Sequence, residues 1–424
     1  MKRPLTPRLL FFFLLATTLL WLLSGHLLFL RLGYVFLLLL ALAGGWAFFL
    51  ARGLRLQREA RSYRAGVGDI FSEQFRVWVE TWPGCPWVEV FNESPLPGAS
   101  GSRLLSRLRY REQRFYIART LLTRRGVFPL GPTRLVTYDP FGLFQVEKEF
   151  PAQATLLVFP MIFPIPEHAS LAGRLPAGKS VHLRTTEVTP HASGVREYLP
   201  GDPMKRIHWP TTARRGSLMV KEFEQDPQTD LWIFLDAQRE AHASLPEATQ
   251  VFLEESLVFR RPQVRLPRDS FEYAVSAAGS LARHFLLKKR SVGLVCSTAK
   301  FFSLWSERGE RQLNKVMESL TFVQADGEIS LLEMVSRQAR ILPLGAVVML
   351  ITPAPGEMLV SAVEILLRRH LRPLVIRLCL ETFGGRSEDA VFLDVALSRL
   401  GVPYCSLAYG DDLAQQLALL ISYI

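Results

Sequence analysis

The sequence lacks most of the short motifs by which the commonest enzyme classes are recognised. It contains no G-x-G-x-x-G between a strand and a helix, no H-E-x-x-H and no G-x-S-x-G. The phosphate-loop pattern G-x-x-x-x-G-K-[ST] is matched once, by G-R-L-P-A-G-K-S at residues 173–180, but in a stretch rich in Pro, Gly, His and Thr with little periodicity rather than between an apolar strand and a helical pattern. Its 8 histidines are scattered, and none lies near a cysteine or carboxylate at the spacing of a zinc site. These absences argue against dinucleotide-dependent enzymes, zinc peptidases and serine hydrolases.

Cysteine is also scarce, with 4 in 424 residues and no C-x-x-C pair. Cys296 and Cys379 lie in apolar runs that are typical of buried strands. We therefore expect reduced thiols in a core, as suits a reducing compartment, and no disulfide framework.

Charge is strongly unbalanced, at +11, and arginine supplies most of the excess. Such a balance favours anionic partners, which include lipid headgroups, nucleic acid and acidic protein surfaces. The basic residues cluster beside a long apolar N-terminal region, which indicates that much of the excess positive charge lies at a membrane surface.

Two apolar runs open the chain, Leu9–Leu30 and Tyr34–Leu50. As helices they would span about 33 Å and about 26 Å, which is enough for a bilayer core. A cleaved signal peptide is the alternative for the first run, but no small-x-small cleavage site is evident and a second run follows at once. The sequence predicts a retained two-helix transmembrane hairpin over residues 1–52.

Lysine and arginine around these runs predict their orientation, because cytoplasmic flanks are enriched in both. Only Arg31 lies between the runs, and His26 is placed inside the first; the flanking basic residues are Lys2, Arg3, Arg8, Arg52, Arg55, Arg58, Arg61 and Arg64. We expect a two-span protein of the cell inner membrane with both termini and the soluble domains in the cytoplasm. Residues 53–65 are interpreted as a basic juxtamembrane linker, helical over residues 54–64 and able to lie on anionic lipid.

Residues 66–160 carry short alternating runs that predict a β-sandwich. The clearest are Phe75–Glu80, Trp87–Asn92 and Arg114–Thr123, separated by clusters of Gly, Pro and Ser. The later segment D-P-F-G-L-F predicts an Asx-Pro turn with Phe141 and Phe144 as core residues.

The C-terminal part, residues 230–424, alternates short apolar strands with helical spacing, which predicts an α/β domain with a mostly parallel sheet. Asp236 follows its first strand, where ligands bind in open α/β sheets. An Asp-x-Ser-x-Ser there would offer oxygen ligands to Mg²⁺, but Gln238 and Glu240 occupy the hydroxyl positions and Pro353 ends a neighbouring strand without a ligand. Because the pattern is degenerate, Asp236 is a metal candidate without a complete set of ligands, and no cofactor is predicted. Its alternative role is to cap the strand end by accepting backbone hydrogen bonds.

Residues 161–229 are interpreted as a connecting segment that carries the most unusual motif of the chain. The motif runs from Val195 to Arg215 and mixes charges of both signs with aromatic residues and a Pro-Gly turn. Its candidate interaction residues are Arg196, Glu197, Tyr198, Gly201, Asp202, Arg206, Trp209 and Arg214. Three uses fit: a salt-bridge network at a domain junction, an anion or phosphate site, and acid–base chemistry by Asp202 with His208. The remaining alternative is a direct docking surface for another protein. Interleaved acids and the lack of a stacking platform argue against nucleic-acid binding.

The motif R-E-Y-L-P-G-D, followed by K-R-I-H-W and Ala213-Arg214, resembles the signature of the bacterial domain of unknown function 58 family. The resemblance extends upstream to R-R-G-V-F, L-G-P and D-P-F-G-L-F, and downstream to K-E-F-E and Leu235-Asp236. It covers roughly residues 50 to 300. Lys205 stands where arginine is more usual in the family, which keeps the charge but loses a bidentate fork.

The resemblance implies a membrane-anchored protein in which the α/β domain is von Willebrand factor A-like (Rossmann-like). It further implies a MoxR-type AAA+ ATPase as partner, with a client protein, in a chaperone-like or envelope-assembly role. The first functional hypothesis is therefore a non-enzymatic scaffold. The alternatives are an envelope-associated enzyme with a site near Asp236, and a sensor of anionic lipid or nucleotide.

Overall fold

The computed structural model describes residues 7–82, 84–166, 194–198, 204, 207–222, 230–246, 264–386 and 390–423. For residues 194–196, 221–222 and 390–391 only the backbone is described. The described residues divide into two compact units. Unit 1 comprises Met1–Ile162, Leu245–Arg268 and Met317–Val323, and unit 2 comprises Phe163–Ser244, Asp269–Val316 and Gln324–Ile424.

Unit 1 begins with two apolar helices, α1 (Pro7–Ser24) and α2 (Leu27–Gly53), each long and apolar enough to cross a membrane. The predicted boundary between them is wrong. The chain reverses at Gly25, which has a φ of +68°, and Arg31 lies inside α2 rather than in a loop. His26 accordingly lies immediately before α2 and is not within the first helix.

The helix predicted for residues 54–64 is also wrong, because β1 (Leu54–Ala60) starts directly after α2. β1 pairs antiparallel with β3 (Ile70–Val79), from Leu54 opposite Val79 to Ala60 opposite Glu73. Arg58 is not on a lipid-facing helix: its Nη2 donates to Oε1 of buried Glu73 at 2.9 Å. The basic residues of this stretch therefore belong in part to the folded unit.

The strands among the described residues of unit 1 form three sheets, ordered β1-β3-β6, β2-β10-β7 and β5-β4-β8-β9. Their bounds are β2 (Arg64–Gly66), β4 (Cys85–Asn92), β5 (Arg103–Leu108), β6 (Gln113–Leu121), β7 (Gly126–Pro129), β8 (Thr133–Tyr138), β9 (Gln145–Phe150) and β10 (Thr155–Phe159). The strands predicted from alternation are present as β3, β4 and β6. Two apolar N-terminal helices followed by a β-rich body of several sheets fit the predicted multidomain layout.

The largest core of unit 1 joins the end of α2 to the sheets. Leu50 and Leu54 are fully buried in one cluster with Phe75, Val88 and Leu135. Gly53 is required at the junction, since a Cβ there would lie 1.9 Å from the Thr81 hydroxyl oxygen. The last turns of α2 are thus part of the folded β body.

Unit 2 contains a short hairpin and a six-stranded sheet, among the residues described. The hairpin strands are β11 (Gly194–Glu197) and β12 (Met219–Glu222), with α3 (Trp209–Arg215) between them. The sheet order is β15-β14-β13-β16-β17-β18. Its strands are β13 (Leu231–Leu235), β14 (Val292–Cys296), β15 (Phe302–Glu307), β16 (Val347–Thr352), β17 (Arg372–Leu378) and β18 (Tyr404–Leu407).

All neighbours in this sheet are parallel except the β14–β15 edge pair, so the predicted, mostly parallel sheet is present. Edge strand β15 was not predicted. The helices are α4 (Ser270–Leu287), α5 (Glu310–Phe322), α6 (Leu331–Gln338), α7 (Gly356–Arg368), α8 (Ala390–Leu400) and α9 (Leu413–Ile421).

The central strands of the sheet are buried on both faces, which explains their uninterrupted apolar sequence. Trp232 and Phe234 of β13 pack in a core with α6, α7 and α8, and the alternate residues Ile233 and Leu235 point to the opposite face. Because parallel strands share one carboxyl edge, the residues after β13, β14 and β16 meet there.

Candidate functional site

The first half of the motif forms one strand of the hairpin. β11 and β12 are antiparallel, with Arg196 opposite Val220 and Glu197 opposite Met219. The Tyr198 amide donates to the Leu218 carbonyl at 2.8 Å, which continues the pairing by one residue. Glu197 is exposed and Tyr198 is half-buried.

The second half forms the short helix α3, which begins at Trp209 with Pro210 in its first turn. It ends at Gly216, whose φ of +74° is the left-handed conformation that glycine adopts without strain. For the motif stretch K-R-I-H-W, the sequence left two alternatives, one helical turn or a short strand. The described residues of this stretch show a part of each. Ile207 forms a β-bridge with Val220, and the helix starts only at Trp209.

Two hydrogen bonds connect α3 to β12. The His208 amide donates to the Met219 carbonyl at 2.8 Å, and the Met219 amide donates to the Thr212 hydroxyl at 3.0 Å. The His208 ring is engaged locally, with Nδ1 2.7 Å from the Thr211 hydroxyl. The helix is short, and these two bonds hold its N-terminal half beside β12.

The buried and exposed side chains of this segment divide sharply. Ile207, Met219 and Val220 are at most 5% exposed and anchor the hairpin. Trp209, in contrast, is 64% exposed. We call five exposed residues of this segment the Trp209 surface: Met204, Trp209, Arg214, Arg215 and Leu218.

The predicted motif residues are thus only partly brought together. Trp209 and Arg214 lie on the same short exposed helix, and Glu197 and Tyr198 lie at the end of β11. Gly201, Asp202 and Arg206 lie outside the described residues, and for Arg196 only the strand position is known. The predicted ion-pair network and the Asp202–His208 pair therefore remain predictions.

The second candidate, Asp236, ends β13 at the carboxyl edge of the sheet and is fully buried. Its Oδ2 accepts a hydrogen bond from the Thr352 hydroxyl at 2.7 Å. Its Oδ1 accepts from the Gln238 amide at 3.0 Å and from the Ser297 hydroxyl at 3.3 Å. Both carboxylate oxygens are therefore satisfied by the protein itself.

Ser297 and Thr352 are the site residues that reasoning from sequence missed. Each lies at the carboxyl end of a strand that flanks β13, at the end of β14 and of β16. The adjacent Pro353 offers no ligand, but the preceding Thr352 supplies the hydroxyl. The sequence signal that could have identified them is a serine or threonine at the end of each apolar strand.

His242 closes the cluster from the loop that follows β13. Its Nε2 lies 2.9 Å from the Asp236 carbonyl oxygen, and its Nδ1 lies 3.0 Å from the Ser270 hydroxyl. Burial lowers the pKa of His242, although the nearby Asp236 and Asp269 carboxylates oppose that effect. Because a carbonyl oxygen can only accept, the neutral ring carries its proton on Nε2 and accepts from Ser270.

Close backbone approach completes the strand-end structure. Gly327 donates from its amide to the Ala237 carbonyl at 2.9 Å, and a Cβ at this glycine would lie 1.6 Å from the Ser297 carbonyl oxygen. Only glycine fits there. We call Asp236, His242, Ser270, Ser297 and Thr352 the Asp236 cluster.

The chemistry of the Asp236 cluster is that of a buried hydrogen-bond network. Its one carboxylate is inaccessible and fully partnered, and its hydroxyls are already used. Within the described ranges, no group of three or more His, Cys, Asp and Glu side chains is arranged to hold a metal ion. The network is therefore suited to joining the ends of three strands.

Comparison with known proteins selects the same region. Residues 194–248 match the model of a family described as protein of unknown function DUF58. This segment contains the hairpin, α3, β13 and Asp236 with His242. A curated relative, the uncharacterized protein YeaD of Bacillus subtilis (strain 168), is 25% identical over 221 residues. That similarity covers 51% of this chain and 46% of the relative, so the chain spans about half the length of the protein it matches.

Similarity to solved structures is slight. The CARDB domain of the PF1109 protein from Pyrococcus furiosus has a TM-score of 0.18 and 14% identity, over 25% of this chain and 91% of that chain. The pilus adhesin SpaC from Lactobacillus rhamnosus GG, in its open conformation, has a TM-score of 0.31 and 8% identity, over 47% of this chain and 30% of that chain.

Proposed function

We propose that this protein is a membrane-anchored, non-enzymatic scaffold whose Trp209 surface docks a cytoplasmic AAA+ ATPase of the MoxR type. The observation that carries the proposal is the exposure of Trp209, at 64%, on a helix whose N-terminal half is hydrogen-bonded to β12. Tryptophan and arginine are the residues most enriched among those that dominate binding energy at protein interfaces. The choice of partner follows from the family resemblance of the motif.

Charge favours an acidic partner face. Arg214 and Arg215 are both exposed at the end of α3, about 7.5 Å and about 9 Å along the helix axis from Trp209 at 1.5 Å per residue. An aromatic residue with two guanidinium groups at this spacing suits a pocket rimmed by carboxylates. In the proposed role, ATP-driven remodelling by the partner acts on a client protein held at the membrane, in a chaperone-like or envelope-assembly process.

The proposed location is the inner membrane, with both helices spanning it and the two units in the cytoplasm. The length and apolar composition of α1 and α2 support this, as does the absence of lysine and arginine from the two-residue turn Gly25–His26. Arg31 lies only four residues into α2, where its long side chain can reach the distal headgroups.

For the folds we propose a β-sandwich in unit 1 and a von Willebrand factor A-like domain in unit 2. The several antiparallel sheets of unit 1 and the parallel sheet of unit 2, with Asp236 after its central strand, support these assignments. The enclosed Asp236 carboxylate supports a structural rather than a catalytic role for that edge.

The test is affinity purification of the full chain from its native membranes, followed by mass spectrometry. We expect an AAA+ ATPase to copurify with the wild type and to be reduced at least tenfold by Trp209→Ala. The matched control is Trp82→Ala, which removes another exposed tryptophan, one that is 75% exposed and lies in unit 1. Recovery of the ATPase with all three baits, or with none, would contradict the proposal and favour the enzyme or sensor alternatives.

A further inference from the structure

One turn of unit 1 lies against the two apolar helices α1 and α2. It spans residues 139–144, between β8 and β9, and its last side chain, Phe144, lies beside Gly44 of α2. An ideal Cβ on Gly44 would lie 3.9 Å from the Phe144 ring. Phe144 also lines a cleft with residues from both helices, namely Pro7, Arg8, Phe11, Leu14, Leu37, Leu40 and Ala41.

The length of α2 places this contact at the edge of a bilayer. A span needs about 20 residues at 1.5 Å each, so a helix that enters at Leu27 leaves the hydrocarbon core near Trp46. Gly44 lies two residues before that point, and tryptophan favours the membrane–water boundary. The remaining turns of α2 pack into the core of the β body through Leu50. Pro7, at the start of α1, lines the same cleft, so both helices reach this level.

The turn is held rigidly by a buried aspartate. Asp139 is fully buried, and its carboxylate accepts hydrogen bonds from the amides of Phe141 at 2.9 Å and Phe144 at 2.6 Å. The Gly142 amide donates to the Asp139 carbonyl at 3.0 Å, and Gly142 has a φ of +68°. The side chains of the turn are therefore presented in a fixed arrangement.

The sequence predicted that Phe141 is a core residue, but the structure shows that it is not. It is 50% exposed at the tip of the turn, after the exposed Pro140, although the same turn buries Leu143. Holding an aromatic ring in water on a rigid turn is unfavourable, whereas the interfacial region of a bilayer favours it.

We propose that the turn of residues 139–144 is a lipid-contact site, at which Phe141 inserts into the bilayer surface beside the point where α2 leaves it. Arg8, at the same cleft, supplies a cation for lipid phosphate. With β1 starting directly after α2, this second contact fixes the orientation of unit 1 on the membrane. The inference rests on membrane insertion of the hairpin, which is part of the proposed function, and is independent of the ATPase partner.

Spin labelling of the full chain in phosphatidylcholine–phosphatidylglycerol vesicles tests this directly. Single cysteines are introduced as Phe141→Cys, as Leu38→Cys on α2, and as Val127→Cys on β7, at positions 50%, 61% and 40% exposed. The parent chain provides the baseline for its native cysteines, of which Cys85, Cys296 and Cys405 are buried. Collisions with oxygen, which partitions into lipid, are compared with collisions with a water-soluble nickel chelate.

We expect oxygen to dominate at positions 38 and 141, and the nickel chelate to dominate at position 127. A label at 141 that behaves like the one at 127, while 38 remains in lipid, would overturn the lipid-contact site and leave the anchored hairpin standing. Nickel dominance at 38 as well would overturn both the contact and the membrane insertion on which it rests.

Discussion

The family-matched segment, residues 194–248, contains the Trp209 surface and also Asp236 and His242 of the Asp236 cluster. The two sites differ in whether their side chains are exposed or buried. The Asp236 cluster encloses a carboxylate, an imidazole and three hydroxyls, and it satisfies them with one another and with the backbone. The Trp209 surface exposes the largest aromatic side chain on a helix of seven residues.

The difference separates stability from recognition. A buried polar network holds elements together because any group left unpaired costs free energy, so changes there are expected to unfold unit 2. An exposed aromatic residue adds little to folding and is available to a partner. Substitutions on the two sides should therefore affect different measurements.

The largest loss of stability is expected from Asp236→Ala. The change leaves the buried hydroxyls of Thr352 and Ser297 and the Gln238 amide without their acceptor, which should cost about 3 to 5 kcal/mol. Urea unfolding of the full chain in detergent, followed by near-UV circular dichroism, measures the shift. Glu240→Ala, which removes a nearby exposed carboxylate, is the matched control and should change stability by less than about 0.5 kcal/mol. Equal effects of the two changes would contradict a structural role for Asp236.

A smaller loss is expected from Met219→Ala, which removes the buried anchor of the hairpin. Met219 is 1% exposed, and truncating a buried methionine costs about 2 kcal/mol or more. Met204→Ala is the control, because that methionine is 73% exposed. The same urea titration, together with protease sensitivity of the hairpin, distinguishes them; an unchanged Met219 variant would mean that the hairpin is held by something other than this contact.

His242 is expected to make unit 2 sensitive to acid. Burial holds the pKa of His242 below its ordinary value of 6.5, so as the pH falls below that value the unfolded chain binds the proton first. The stability that the neutral ring contributes is therefore present above 6.5 and is lost as the pH falls towards the folded pKa. His242→Gln should reduce the difference in urea midpoint between neutral and acidic pH, and an unchanged difference would contradict the assignment of a buried neutral ring.

The smallest effect on stability is expected from Trp209→Ala. With 64% of the side chain exposed, its removal should change the unfolding free energy by no more than about 0.5 kcal/mol. The urea midpoint of the purified variant checks this, and a large fall would show that Trp209 acts as a packing residue.

The sequence predicted elements well where one face of a strand or helix is apolar, and less well where a polar residue points inward. Phe75 and Val77 alternate with polar residues, and β3 was predicted from them. β1 was mistaken for a basic helix because Arg58 faces inward, towards a glutamate 15 residues away on a partner strand. A buried ion pair of this kind has no local signature.

The candidate site was predictable only in part for a similar reason. The motif around Trp209 is evident from its composition. Whether the Trp209 ring is exposed depends on which residues pack over the nearby Ile207 and Met219, and composition does not give that packing. The partners of Asp236 lie 61 and 116 residues away, and only the parallel register of the sheet brings them together. The boundary between the two N-terminal apolar helices was misplaced because Arg31 suggested a loop, whereas the chain turns at Gly25.

The most direct test of the central claim is photo-crosslinking in native membranes from a photoreactive phenylalanine analogue at position 209, with the same analogue at position 82 as reference. If the Trp209 surface docks an AAA+ ATPase, a covalent adduct with that ATPase forms from position 209 and not from position 82. Adducts of equal yield from both positions, or none from position 209 when the protein is present at its normal level, would contradict the account.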